Sequence, residues 1–228
     1  SGETPPSELV VSSVQELLDA IAAGKDRITM KYSTTPYEIG QLTITAPLRL
    51  SGQVQNGKKT PIDGGFLLSG AIKGDDNKGS FILNNLDITS TADSKLSVIC
   101  EDKTADLAPV VDTVAMLNCD IHGTKAIYDN SGKALSDVQV LLIKGNLVYD
   151  SSNIADFIDL RAGATHTVKI VNNTFANSCR TFLRTDAGHE LNYLTVKNNT
   201  MYKLATNSES KDNNGIFHVR SAAGSGLQ

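Results

Sequence analysis

Tryptophan is absent from the 228 residues, and only six Phe and six Tyr are present. A broad aromatic platform for sugar rings is therefore not expected. Cysteine is scarce: Cys100, Cys119 and Cys179 cannot all pair within one chain, and their spacing matches no metal-ligand pattern. They are expected to be buried thiols that pack as small apolar residues. No apolar run approaches the roughly 20 residues that a membrane-spanning helix needs. Nor is there an excess of positive charge. A formal net charge of −4 argues against a nucleic-acid partner, which favours a basic surface. The opening "SGETPPSEL" carries no signal segment and reads as a trimmed terminus or linker over residues 1–11, ahead of one domain over 12–228.

What is present is a repeat. The phrase apolar–x–apolar–x–Asn recurs as "FILNNLDI" (Phe81–Ile88), "VAMLNCDI" (Val114–Ile121), "LLIKGNLV" (Leu141–Val148), "VKIVNNTF" (Val168–Phe175) and "LTVKNNTM" (Leu194–Met201). Its fifth positions are Asn85, Asn118, Gly145, Asn172 and Asn198, separated by 33, 27, 27 and 26 residues. Within each copy the apolar residues alternate, the mark of a strand with one buried face. A strand recurring at this interval and always facing the same core predicts an all-β solenoid of parallel strands stacked about 4.8 Å apart. The fifth-position Asn falls on the inward phase, so the reading is an internal amide ladder at Asn172 and Asn198. On that reading the glycosylation sequons at the same two residues are accidental. Lys144, Lys169 and Lys197 project from these strands as a solvated face.

A second phrase lies between copies of the first: "FIDLRAG" (Phe157–Gly163), "TFLRTDAG" (Thr181–Gly188) and "IFHVRSAAG" (Ile216–Gly224). Aligning Ile158, Leu183 and Val219 inward leaves a 205–215 insertion in one repeat. It turns Asp159, Arg161, Arg184, Asp186, His218 and Arg220 outward on one face. One reading is a groove for an anionic sugar, with Arg184 as carboxylate clamp or base and His218 as a second catalytic candidate. The other is a structural charge ladder, with Asp159 facing Arg184 and Arg161 facing Asp186 across neighbouring strands. The acidic turns Lys73–Gly79 and Ser210–Gly215 lack the carboxylate spacing of a calcium loop, so no metal is assigned. No triplet of aspartates is found among the outward positions. No "GxSxG" elbow is present either.

The start departs from the repeat. In "SSVQELLDAIAAGKD" the residues Val14, Leu17, Leu18, Ile21 and Ala22 recur at helical spacing. Ser13 and Glu16 form a capping box and Gly24 a stop. This amphipathic helix is expected to cover the first open row of strand edges. At the far end the second phrase stops without its following "NNT" strand: either a loose tail covers the last repeat or, the favoured reading, this is a fragment of a longer stack.

The capping helix, the "YEIGQLTITAPLRLSG" opening (Tyr37–Gly52) and the "VKIVNNTF" repeats together resemble the pectate-lyase-like right-handed parallel β-helix superfamily over Ser12 to Gly224. They are most similar to uncharacterised β-helix domains of exported proteins in glycan-degrading gut bacteria. The resemblance implies a single-stranded right-handed parallel β-helix with an N-terminal capping helix. It also implies a secreted, periplasmic or surface-anchored location beside other domains, with an acidic polysaccharide as partner. The expected function is a module that binds or presents to polysaccharide without turnover. Two alternatives stand: a lyase cleaving a uronic-acid glycan by β-elimination, with Ca²⁺ as its usual partner, and a structural or adhesin-like spacer.

Overall fold

The computed structural model describes residues 8–74, 79–151, 155–206 and 215–220. Among these the protein is all-β: parallel strands joined into one sheet, with a single α-helix, α1 (Val14–Ala22), and one 3-10 turn at Ala105–Leu107. The strands fall into three banks. The first contains Leu9–Val11, Arg27–Met30, Leu48–Gly52, Ser80–Asn84, the ends of Val110–Leu117, Asp137–Lys144 and Ile158–Val171, and Tyr193–Lys197. The second begins in Lys58–Leu68 and continues through Leu86–Thr89, Asp120–His122, Leu147–Tyr149, Thr174–Ser178 and Thr200–Leu204. The third takes Tyr37–Ile44, the end of Lys58–Leu68, Ile99–Glu101, Tyr128–Asp129, the start of Ile158–Val171, Leu183–Glu190 and Phe217–Val219. The exception to parallel pairing is a hairpin of Val54–Gln55 against Lys58–Lys59, turned by Asn56 and Gly57, both at positive φ.

Pairing in the first bank is in register with the repeated phrase: Phe81, Val114, Leu141, Val168 and Leu194 are successive partners. Phe81, Leu83, Val114, Met116, Leu141, Ile143, Val168 and Ile170 are all completely buried. Each such side chain is worth roughly 1.5–3 kcal/mol of apolar burial. Where the second and third banks meet, Phe182 packs edge-on against Phe157 and Phe175, whose own rings are tilted by 43°.

The expected ladder of fifth-position amides is not there. Asn85, Asn118, Gly145, Asn172 and Asn198 all lie in the left-handed region, at φ of 54, 51, 72, 58 and 57°. Such a residue turns the chain, so the inside–outside alternation restarts after it. Asn118, Asn172 and Asn198 are exposed, and the two sequons therefore sit on the surface. The ladder is one residue further on. Asn146 Nδ2 donates to Asn173 Oδ1 at 3.0 Å, and Asn173 Nδ2 to Asn199 Oδ1 at 2.9 Å. The same amides also donate to the carbonyls of Met116, Ile143 and Ile170. Their oxygens accept from the backbone N–H of Cys119, Asn146 and Asn173. Earlier repeats place Leu86 and Cys119 at this buried position. A second left-handed corner, formed by Gly123, Asp150, Asn177 and Lys203, follows the second bank.

At the start, Ser13 Oγ accepts from the Glu16 N–H, while Glu16 reaches back to the N–H of Ser12. Gly24, at φ 76°, ends α1: its own N–H reaches the Ile21 carbonyl and the next, from Lys25, the Ala20 carbonyl. Leu17 and Ala20 are buried against the first strands, with Val14 and Ile21 beside them, whereas Leu18 faces solvent. Leu9–Val11, inside the stretch read as linker, is a paired strand.

Candidate functional site

The outward face of the third bank carries the charged column. Tyr128 pairs with Ile158, Ile158 with Leu183 and Leu183 with Phe217. The third copy thus aligns two residues earlier than its sequence likeness implies, because periodicity alone does not fix how much of the 205–215 insertion lies outside the strand. Most of that insertion, 207–214, lies outside the described residues, as do Asp75–Lys78 of the first acidic turn. Register now sets Asp129, Asp159, Arg184 and His218 in one line.

The expected cross-strand charge pairs do not form. Arg161 instead clasps Asp159 on its own strand through Nε and Nη2, at 2.8 and 2.9 Å. Arg184 does the same with Asp186, at 3.0 and 3.3 Å. Two positions apart on a strand means the same face, and a planar guanidinium fork fits a carboxylate there without spanning the gap between strands. The sequence reading missed the centre of the network, Asp156. Its side chain is 1% exposed, and it takes a bidentate bond from Arg180 at 2.9 and 2.8 Å. Arg161 and Arg184 approach the same carboxylate at 3.8 and 3.6 Å. Extending the second phrase two residues upstream sets Arg180 opposite Ala155, to whose carbonyl its N–H is bonded, which brings Arg180 to this face but not Asp156.

A depression of about 350 Å³ opens beside this network, lined by Lys125, Asp129, Asp156, Asp159, Arg161 and Arg180 among others. Three aspartates therefore do converge, contrary to the expectation from outward positions. Burial pushes the Asp159 carboxyl up, against the Arg161 hydrogen bond that pulls it down. Burial pushes Asp129 up too, but bonds from Ser131 and Ser97 and the Lys125 charge more than offset it, leaving it below the usual carboxylate range. No group of three or more His, Cys, Asp or Glu among the described residues is placed to hold a metal.

His218 and Arg220 complete the face. Arg220 Nε donates to His218 Nε2 at 2.8 Å, and burial with the charges of Arg220 and Arg184 holds the imidazole below its ordinary pKa. The ring nitrogen that could accept a proton is thus engaged, and Arg184 is held by two carboxylates. The three thiols form no disulfide, and each is pushed up to about 12, mainly by burial. Cys119 and Cys179 are buried as expected, whereas Cys100 is half-buried on this face. Lys144, Lys169 and Lys197 are exposed. Among the described residues no helix is long and apolar enough to cross a membrane. No protein-family model, curated protein or solved structure matches the chain.

Proposed function

We propose that the chain is a right-handed parallel β-helix of the pectate-lyase-like kind that holds an acidic polysaccharide against its third bank without cleaving it, as a module of an exported protein. The observation that carries this reading is the state of Arg161 and Arg180. Both guanidinium groups are fixed through Nε and Nη2, and neither Nη1 makes a hydrogen bond to a described residue. Both line the same depression, as does Lys125. Rigid donors lose little freedom when they take up a uronate carboxylate, which favours binding. The engaged states of His218 and Arg184 support binding over proton abstraction.

Calorimetric titration with polygalacturonate, alginate and chondroitin sulfate tests the proposal. One of these should bind, with affinity reduced about tenfold by Arg161→Ala and by Lys125→Gln. Lys125 is the milder probe, because its side chain is half exposed and Asp129, its buried partner at 3.4 Å, keeps its bonds from the Ser97 hydroxyl and the Ser131 N–H. Flat titrations across the panel overturn binding. Formation of unsaturated uronate in the presence of Ca²⁺ overturns the absence of turnover and supports the lyase instead.

A further inference from the structure

On the first bank, Arg27 and Arg49 are register partners on adjacent strands. Their backbones are therefore about 4.8 Å apart, and both side chains leave on the outward face. Like charges set directly opposite one another destabilise a sheet. Arg161, Arg180 and Arg184, at the third bank, each have a carboxylate partner. Here neither guanidinium forms an ion pair with any described carboxylate. Both line a depression of about 520 Å³ together with Ser51 and Glu8. The Ser51 hydroxyl, two residues beyond Arg49 on the same face, makes no hydrogen bond to a described residue. Glu8, the one carboxylate among the described residues that line the depression, instead accepts from the Thr29 hydroxyl.

We propose that Arg27 and Arg49 form a binding site for a tetrahedral oxyanion, a sulfate or phosphate group carried on a ligand. A carboxylate has two oxygens and fills one guanidinium fork, whereas a sulfate or phosphate ester has three free oxygens and bridges two forks. The Ser51 hydroxyl is a further donor within the same patch. Bridging by a doubly coordinated anion removes the repulsion between the arginines and turns a destabilising pair into a stabilising one. The site is on a different bank from the Arg161–Arg180 depression and stands whether or not that depression binds glycan.

Titration of the whole chain with sodium sulfate, phosphate and acetate at constant ionic strength tests this, read by thermal unfolding and by the Nε–H NMR signals of Arg27 and Arg49. Sulfate or phosphate should bind saturably and raise Tm, with acetate at least tenfold weaker. Arg27→Gln and Arg49→Gln should each weaken binding about tenfold. Lys169→Gln, which removes an exposed cation further along the same bank, should leave it unchanged, and Glu8→Gln should tighten it. Without oxyanion, Arg27→Gln should not lower Tm, because it removes a like-charge contact, so the variant remains readable. Dextran sulfate and glucose 6-phosphate as competitors separate a sulfate ester from a phosphate ester as the preferred group. Acetate matching sulfate, a response that does not saturate, or a response unaltered in Arg27→Gln and Arg49→Gln overturns the site.

Discussion

Asn172 and Asn173 are identical neighbours with opposite tasks. The first supplies a left-handed backbone at an exposed corner; the second supplies a buried amide with four hydrogen bonds. Asn172→Gly should be close to neutral, since Gly145 already occupies the equivalent corner, while Asn172→Ala should cost about 1 kcal/mol. Asn173→Ala should cost more, about 2–4 kcal/mol, because it leaves the Asn146 N–H and the Ile143 carbonyl without partners in the interior. Denaturant midpoints of the three variants check the order. The distinction was legible in the sequence. Gly145 at a position otherwise held by Asn signals a left-handed backbone, not a side-chain ladder, and Leu86 and Cys119 at the next position signal burial. The alternation of strand residues had been carried one residue too far, through a turn that resets it.

At the scale of elements, α1 was readable because its determinants are local: the cap, the apolar spacing and the stop lie within a dozen residues. Ser13→Ala should cost about 1 kcal/mol of stability through the lost bond to the Glu16 N–H. Leu17→Ala should cost about 2–5 kcal/mol, because the side chain is completely buried against the first strands. Equilibrium unfolding in urea measures both, and a Leu17 effect no larger than that of Ser13 would contradict the packing role of the helix. Parallel strands were legible for the same reason, since period-two burial lies within each segment. The partners within the charged column were not. Which carboxylate an arginine takes depends on side-chain reach, and Asp156 comes from a turn ahead of the strand, where no alternation points to it.

Across the whole molecule, histidines give the pH dependence two opposing contributions. His122 Nε2 donates to the Asp87 carboxylate at 2.7 Å and the ring stacks on Tyr149, and that hydrogen bond raises its pKa above the ordinary value. Its stabilisation is complete below about pH 6.5 and is lost as pH rises through the folded pKa. His189 is buried, with Nδ1 bonded to the Ala162 carbonyl and Nε2 without a partner among the described residues, and burial lowers its pKa. As pH falls below about 6.5 the unfolded chain gains a proton there that the folded chain resists, so stability falls. The stability difference between the wild type and His122→Gln should shrink from pH 5.5 to 8.5, while that between the wild type and His189→Gln should grow. Slopes of the same sign would refute the assignment.

The left-handed corners bear on how such a chain tolerates added length. The interval between Asn85 and Asn118 is 33 residues against 26 or 27 elsewhere, and it includes the Ala105–Leu107 turn. Yet Phe81 still meets Val114 and Leu83 still meets Met116. Extra residues are absorbed at a margin, and the next segment begins with its facing unchanged. Enlargement of one bend and preservation of the packed centre are therefore compatible, which lets surface chemistry diversify one bend at a time.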